Sequence, residues 1–397
     1  MAWKVMDLFC GTGGFSHGLC EGLGDESKVV FGIDILKHAV ATFRANNAQA
    51  IAVCADITKF PPRRVQADFG ISRGDIDVIA GGPPCQGFTS IRPHRSRNND
   101  DLRNSLYVDF LDYVDYFRPK AFIMENVIGL ATYNHGRTIR AVMDRAKGTG
   151  YSVDWRIFNA ANFGVPQRRE RLLMVGFRDV PRFSFPRPTH KSNGSTIGYY
   201  DKSKVISVTP EIDNARELAE ALTAWDAISD LPEVEPGREV RAYSKAPLNE
   251  YQKRLRGGCN ELALHYATSH GRRMLDIVKR SGPNVNSLPK GIVKSGFSTS
   301  YSRIEPDKPS VTLTGNFPYP GSNKCIHPFQ DRAITPREAA RIQSFPDNFV
   351  FIGNKSQIAK LIGNAVPPLL GNVMGKWCRR YLDGTAVDLG PIYQTAG

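Results

Sequence analysis

Short hydrophobic runs alternate with stretches of helical periodicity along the first part of the chain. The runs have the length of β-strands and lie at 3–9, 28–33, 50–54, 76–80, 121–125, 151–158 and 171–177. Between them, apolar residues recur every three or four positions, as in the series Leu106, Phe110, Leu111, Val114 and Phe117 and the series Ile139, Val142, Met143 and Ala146. Strands that alternate with helices build a largely parallel sheet covered on both faces. The pattern therefore predicts an α/β fold for this region.

The alternation stops at about residue 185. Proline, glycine, serine, asparagine and threonine dominate beyond it, and hydrophobic residues are isolated. We expect a second, smaller and loop-rich domain there. A helix opens at 335–338, where Thr-Pro-Arg-Glu forms a capping box with proline at the first helical position, and we place it at the hinge between the domains. Another helix is marked by Leu218, Ala219, Leu222 and Trp225.

A glycine-rich turn follows the first hydrophobic run. Residues 5–14 read Val-Met-Asp-Leu-Phe-Cys-Gly-Thr-Gly-Gly and lead into Phe15, Leu19 and Leu23 at helical spacing. Glycines let a backbone approach a nucleotide closely, and Asp34, at the end of the second run, can bind ribose hydroxyls. Asp56 follows the third run in the same way. The turn fits NAD, FAD or S-adenosylmethionine, with a plain tight turn as the alternative.

Cys85 lies in segment 81–90, Gly-Gly-Pro-Pro-Cys-Gln-Gly-Phe-Thr-Ser, directly after the fourth run. Two prolines fix the backbone before it and cannot continue a strand ladder, so the thiol leaves the sheet at a rigid corner. That position suits a nucleophile, although a lone cysteine also packs readily as a small buried hydrophobe. Glu125 ends the fifth run, at the edge where α/β sheets hold their chemistry.

The charge of the chain is high and unevenly distributed. The net charge is +13, and the pI of about 9.4 indicates a polyanionic partner. Residues 251–303 hold ten lysines and arginines against two acids, whereas residues 211–239 hold nine acids against two arginines. Glycine, serine and asparagine separate the basic residues of 251–303, as in a loop-built surface that contacts phosphates, and a solvated basic face is the alternative. The phosphate contacts we select are Lys253, Arg254, Arg272 and Arg273.

Composition narrows the class of protein. At 397 residues, 41% of them hydrophobic, the chain can form two or three domains with a sizeable core. No run approaches about eighteen apolar residues and the first strand begins near the N-terminus, so we expect neither a membrane span nor a signal peptide. The seven cysteines are scattered without a Cys-x-x-Cys pair, which predicts a reduced, cytoplasmic protein with no bound metal.

Five motifs carry a resemblance to a known family. They are Asp-Leu-Phe-Cys-Gly-Thr-Gly-Gly at 7–14, Pro-Pro-Cys-Gln at 83–86, Glu-Asn-Val at 125–127, Gln-Arg-Arg-Glu-Arg at 167–171 and Gly-Asn-Ala-Val-Pro at 363–367. In this order, across nearly the whole chain, they closely resemble the DNA (cytosine-5)-methyltransferases of the bacterial restriction-modification type. The resemblance implies a Rossmann-like S-adenosylmethionine-dependent methyltransferase domain and a smaller target-recognition domain. The first would span 1–184 and the second 185–345, and 346–397 would return to complete the first, since Leu361 to Tyr381 resembles a returning element.

The resemblance also implies roles for single residues. The thiolate of Cys85 would add to carbon 6 of a cytosine flipped out of duplex DNA, and carbon 5 would then take the methyl group of S-adenosylmethionine. Glu125 would donate a proton to ring nitrogen 3, and Arg169 and Arg171 would contact the base and its phosphate region. The cofactor pocket would be lined by Phe9, Gly11, Gly13, Asp34, Ile35, Asp56, Ile57, Pro83 and Asn364. Further DNA contacts would come from Gln86 and Arg103, in the arginine-rich loop 86–106, and from Thr312 and Leu313.

Two other functions remain open from the sequence. An enzyme of the same fold could methylate tRNA, but that branch typically carries Cys-Phe-Thr in the recognition domain, where this chain has Gly296-Phe297-Ser298. A binding protein that has lost the chemistry is disfavoured by the intact Cys85, Glu125 and Arg169. The expected partners are duplex DNA and a restriction endonuclease that acts on the same site, in a bacterial cytoplasm at the nucleoid. Side chains within about 186–300 would select the target sequence.

Overall fold

A computed structural model describes residues 2–84, 106–192, 199–206, 208, 218–293 and 297–386. The strands are β1 (Lys4–Leu8), β2 (Lys28–Asp34), β3 (Ile51–Cys54), β4 (Val78–Gly81), β5 (Ala121–Asn126), β6 (Ser152–Asn159), β7 (Gln167–Arg168), β8 (Glu170–Phe177), β9 (His190–Lys191), β10 (Val205–Ile206), β11 (Ala219–Glu220), β12 (Ser302–Arg303), β13 (Ser310–Val311) and β14 (Lys324–Ile326). The α-helices are α1 (Gly14–Leu23), α2 (Lys37–Asn46), α3 (Pro62–Phe69), α4 (Leu106–Phe117), α5 (Gly129–Thr132), α6 (Arg137–Gly148), α7 (Ala224–Ile228), α8 (Glu250–Arg256), α9 (Arg272–Arg280), α10 (Pro336–Ile342), α11 (Lys355–Asn364) and α12 (Pro368–Leu382).

Eight strands form one mixed sheet in the order β10-β6-β8-β5-β4-β1-β2-β3. Strands β5, β4, β1, β2 and β3 pair in parallel, and β8 runs antiparallel between β5 and β6. Each strand that the hydrophobic runs predict is present within a residue or two of its predicted bounds. The predicted α/β class is therefore confirmed.

Successive residues of the central strands enter two hydrophobic cores on opposite faces of the sheet. Met6 of β1 packs in one core with helix α4, which contributes Phe110. Val5 packs in the other core with α1 and α12, which contribute Leu19 and Met374. Because both faces are covered, the central strands read as continuous apolar runs.

Helices α1 and α12 pack with their backbones in direct contact. A Cβ added at Gly18 of α1 would lie 1.8 Å from the carbonyl oxygen of Pro368, and one added at Gly375 of α12 would lie 2.2 Å from the carbonyl oxygen of Leu19. Only glycine permits this approach. The contact joins the C-terminal helix to the first helix of the sheet region, as expected for a returning element, while the domain boundaries themselves stay predictions.

The second part of the chain has short ladders instead of a large sheet. β9 pairs with β11, β12 with β14, and β7 with β13, all in parallel. The helix predicted from Leu218, Ala219, Leu222 and Trp225 is wrong for three of these residues. Ala219 pairs with His190 in the β9–β11 ladder, and α7 starts only after Thr223, whose side chain and that of Asp226 form a capping box.

Helix α10 has the predicted capping box, with Thr335 accepting from the backbone N–H of Glu338 at 3.1 Å. It also holds a buried ion-pair network. Arg341 pairs with Asp230 and Asp347, and Arg337 also pairs with Asp347. A buried charge is strongly unfavourable unless it is paired, so this network holds the segments that carry Asp230 and Asp347 against α10. No helix within the described ranges has the length and apolar character needed to cross a membrane.

Candidate functional site

The predicted cofactor residues meet at the carboxyl ends of four neighbouring strands. β4, β1, β2 and β3 lie side by side in the sheet. Residues of the set follow each of them: Phe9, Gly11 and Gly13 follow β1, Asp34 and Ile35 close β2, Asp56 and Ile57 follow β3, and Pro83 follows β4. Asn364 is the exposed last residue of α11, shortly before α12 begins against Gly18. The carboxyl edge of a parallel sheet is the usual ligand site of such folds.

Asp34 organises the glycine-rich turn. Phe9, Gly11 and Gly13 have φ values of 56°, 51° and 77°, so the turn passes through the left-handed region. The Oδ2 atom of Asp34 accepts the backbone N–H of Gly11 at 2.9 Å, and its Oδ1 accepts that of Leu36 at 2.9 Å. Burial raises the pKa of Asp34. Each carboxylate oxygen keeps a further lone pair, so this residue can shape the turn and still accept from a ligand.

Open space and exposed apolar side chains lie beside Asp34. A Cβ added at Gly11 would meet no atom within 4 Å. Ile35 is 63% exposed and Leu36 is 49% exposed. Asp56 accepts from the backbone N–H and the hydroxyl of Thr58, which holds the end of β3. This edge therefore places exposed apolar side chains beside carboxylate acceptors.

A second acid lies below the turn and was missed from the sequence. Asp7 of β1 is 3% exposed and accepts a hydrogen bond from the hydroxyl of Ser16 on α1. Burial raises the pKa of Asp7 to about 7, and the nearby Asp34 adds to the increase. The sequence does contain a signal for this residue, because Asp7 is a carboxylate inside the apolar run 3–9 and is therefore expected to be buried.

Glu125 of β5 forms a cluster with Arg171 of the neighbouring β8 and with Arg169, directly before β8. The Nε of Arg171 donates to Oε1 of Glu125 at 2.7 Å, and both side chains are 15% exposed. Arg169 is 1% exposed, and its Nη1 donates to the backbone carbonyl of Leu313 at 3.1 Å. Burial and the like charge of Arg171 lower the pKa of Arg169 well below its ordinary value, and Glu125 opposes the change. The structure thus brings three of the four predicted catalytic residues together.

The backbone that leads to position 85 packs against this cluster. The side-chain amide of Asn126 donates to the carbonyl oxygen of Pro83 at 3.2 Å. A Cβ added at Gly82 would lie 2.8 Å from Oε2 of Glu125. The two motifs are therefore adjacent in space. Cys85, Gln86 and Arg103 themselves lie outside the described residues.

Thr312 and Leu313 reach the same cluster from the loop-rich part. β13 pairs with β7 directly before these residues, and the hydroxyl of Thr312 donates to the carbonyl oxygen of Arg168 at 2.7 Å. Leu313 is 1% exposed and its N–H donates to Oε1 of Gln167 at 2.8 Å. Gln167 had no role assigned from the sequence, although it opens the motif at 167–171.

The four selected basic residues are exposed, on two helices. Lys253 and Arg254 lie on α8, where Lys253 is 3.5 Å from Glu250 and Arg254 is 3.0 Å from Glu21 of α1. Arg272 and Arg273 open α9 and, within the part of the chain that the structure describes, pair with no carboxylate. They line a cavity of about 620 Å³ together with Tyr301 and Tyr319.

Comparisons with known proteins agree on one family. The model of the family described as C-5 cytosine-specific DNA methylase matches residues 3–380. The type II methyltransferase M.AgeI of Thalassovita gelatinovora is 32% identical over 94% of this chain and 98% of its own length. M.DdeI of Desulfomicrobium norvegicum is 34% identical over 96% and 89%, respectively. A crystal structure described as an E. coli prophage DNA modification methyltransferase is similar in fold, with a TM-score of 0.72 and 23% identity over 96% of this chain and all of that one. The chain therefore belongs to the C-5 cytosine-specific DNA methylase family and is a DNA (cytosine-5)-methyltransferase of α/β fold.

Proposed function

We propose that the protein methylates carbon 5 of a cytosine that is flipped out of duplex DNA at a specific short sequence, through a covalent adduct with Cys85. The cluster of Glu125, Arg169 and Arg171 is the observation that supports this best. Glu125 lies against Gly82, and the neighbouring Asn126 donates to Pro83, two residues before Cys85. Strand β5, which carries Glu125, is next to β4, the first of the strands whose ends carry the predicted cofactor residues.

Carbon 5 of cytosine is a poor nucleophile, so the ring must first be activated. The Cys85 thiolate forms a bond to carbon 6, and the electron pair displaced onto the ring is stabilised when nitrogen 3 takes a proton from Glu125. Carbon 5 of the resulting enamine would form a bond to the methyl carbon while the bond from that carbon to the sulfonium sulfur breaks, and the sulfur would keep the electron pair as a neutral thioether. A base would then remove the proton from carbon 5, the carbon–sulfur bond to Cys85 would break and restore the thiolate, and nitrogen 3 would return its proton to Glu125.

The arginines supply donors for the substrate. The Nε of Arg169 is buried without a hydrogen-bond partner among the described residues. A buried donor is costly unless a ligand satisfies it, which fits a base carbonyl or a phosphate oxygen that is present only in the complex. Arg171 would hold the Glu125 carboxyl in position and contact the substrate with its remaining donors.

The strand edge fits S-adenosylmethionine, which supplies an electrophilic methyl group when bound. The free lone pairs of Asp34 would accept the ribose hydroxyls, and the exposed Ile35 would cover one face of the adenine together with Ile57. Gly11 would let the backbone approach the ligand, Phe9, Gly13, Asp56 and Pro83 would complete the pocket, and Asn364 would lie near the methionine part.

Duplex DNA would lie across the basic side chains of α8 and α9, with Gln86, Arg103, Thr312 and Leu313 closer to the flipped base. We place the reaction in the bacterial cytoplasm, at the nucleoid. A restriction endonuclease that cuts the same sequence is the partner we propose.

The test is transfer of a labelled methyl group to duplex DNA and, in parallel, to tRNA. We expect label in DNA alone, at carbon 5 of cytosine in one sequence context when the product is read by bisulfite sequencing. Label in tRNA would support an RNA-methylating enzyme. Binding of DNA without transfer to either substrate would support a non-catalytic relative.

A further inference from the structure

Two fully buried glutamines connect distant segments next to the cluster. Gln167 opens β7 and Gln343 follows α10, and both are 0% exposed. The Nε2 of Gln167 donates to Oε1 of Gln343 at 2.9 Å. The two remaining polar atoms are used as well: Oε1 of Gln167 accepts from the N–H of Leu313 at 2.8 Å, and Nε2 of Gln343 donates to the carbonyl oxygen of Ile362 at 2.8 Å. Each amide therefore has a single orientation that satisfies all three bonds.

Both ends of this chain of bonds adjoin site residues. At one end, Leu313 also accepts a hydrogen bond from Arg169 at 3.1 Å, so Gln167 and Arg169 hold the same residue by its N–H and its carbonyl. At the other end, Ile362 lies two residues before Asn364. Between the ends the packing is tight, because a Cβ added at Gly363 would lie 2.3 Å from the backbone nitrogen of Gly315.

We propose that Gln167 and Gln343 are positioning residues that hold Arg169 in register with the cofactor-side segment Ile362–Asn364. Methionine or leucine could fill the same space in a hydrophobic core. A pair of glutamines whose hydrogen bonds are all made also fixes how the joined segments lie relative to one another. The proposal rests on the proposed function. The pair would affect the rate of methyl transfer and not the affinity for DNA or S-adenosylmethionine.

The test compares Gln167→Met and Gln343→Met with Gln252→Met. Gln252 is also 0% exposed and uses its amide on Leu248, Asp226 and Ser229, which are not site residues. We expect kcat to fall by about 10-fold to 100-fold in the first two variants, with both KM values nearly unchanged, because a small misplacement of reacting groups has effects of that size. Gln252→Met should lose thermal stability while its kcat stays close to that of the wild type.

The double variant Gln167→Met/Gln343→Met should be no slower than the slower single variant, because the two residues act as one unit. A loss of kcat in the double variant equal to the product of the two single losses would contradict the proposal. A rise in KM with kcat unchanged in the single variants would also contradict it, and so would a similar loss of kcat in Gln252→Met. Wild-type protein that transfers no methyl group to DNA would instead contradict the proposed function itself.

Gln167→Glu provides a second measurement if the methionine variants do not fold. A protonated carboxyl can donate to Oε1 of Gln343 as the amide does, whereas a carboxylate cannot. The ratio of kcat in this variant to wild-type kcat should therefore fall as the pH rises from about 5.5 to about 8. A ratio that is constant over this range would overturn the proposal.

Discussion

At the scale of single residues, Glu125 is held by an ion pair with Arg171 on the neighbouring strand. Glu125→Gln keeps the shape of the side chain and removes its acidic proton. We expect kcat to fall by about 10²-fold or more with DNA affinity little changed, the usual effect of removing a general acid. Steady-state rates and DNA titrations give the two values separately.

Glu305→Gln is the control for that variant. Glu305 pairs with Lys308 and Lys324, and these hydrogen bonds hold the pKa of its carboxyl at about 2. Loss of this ion pair should leave kcat close to the wild-type value. If Glu125→Gln weakens DNA binding as much as it slows turnover, Glu125 is a structural partner of Arg171 and not a proton donor.

Asp7 gives a prediction on pH. Because burial raises its pKa from 3.8 to about 7, the folded protein binds a proton between these values that the unfolded chain does not bind. This residue therefore contributes less stability as the pH rises through that window. Relative to the wild type, Asp7→Asn should gain on the order of 2 kcal/mol in the free energy of unfolding between about pH 5 and about pH 8. Urea unfolding at both values measures it, and a difference that does not change with pH would refute the assignment.

At the scale of elements, the α1–α12 contact depends on glycine. In Gly18→Ala the new methyl group would meet the carbonyl of Pro368 at 1.8 Å, so the helices must separate. We expect a loss of about 2 kcal/mol or more in the free energy of unfolding. Gly148→Ala, in α6, is the matched control because its methyl group would meet nothing within 4 Å. That change should be neutral or stabilising by up to about 1 kcal/mol, and equal losses in the two variants would contradict the packing argument.

The sequence predicts these elements unequally. Strands β1 to β6 and β8 can be predicted because each is a continuous apolar run, and α10 can be predicted from its capping box. The helix predicted near Leu218 fails because its apolar spacing is outweighed by the cap at Thr223 and by pairing with β9. The role of Gly18 cannot be predicted either, because the helix that it contacts, α12, begins about 350 positions later in the sequence. Only folding brings the two backbones together.

The site divides in the same way. Asp34 and Glu125 lie at the carboxyl ends of β2 and β5, as the apolar runs predict. Arg171 lies at the start of β8 and Arg169 directly before it, at the same edge because β8 runs antiparallel to β5. The roles of these residues stay predictions. Sequence could not show that Asp34 accepts the N–H of Gly11, nor that Gln167 and Gln343 are bonded. Such contacts join segments far apart in the chain, and one sequence contains no signal that pairs them.

At the scale of the whole molecule, we expect the basic side chains of α9 to bind the DNA backbone without taking part in methyl transfer. Arg273→Ala should weaken binding to all sequences alike and reduce the slope of log affinity against log salt by about 0.9. The kcat at saturating DNA should hardly change. Arg280→Ala, on the same helix but paired with Asp276 at 3.1 Å, should leave the slope almost unchanged. Equal slopes for wild type and Arg273→Ala would exclude this residue as a phosphate contact.

The covalent adduct with Cys85 is the central claim, and trapping it is the most direct test. Long duplex DNA of varied sequence, made with 5-fluorocytosine in place of every cytosine, carries the analogue at any short target that it contains. Fluorine at carbon 5 prevents the proton removal that releases the enzyme. With S-adenosylmethionine present, we predict a stable protein–DNA complex whose cross-linked peptide contains Cys85. The Cys85→Ser variant should form no complex and transfer no methyl group, yet still bind S-adenosylmethionine. An adduct in Cys85→Ser, or a wild-type adduct mapped to another residue, would contradict the account.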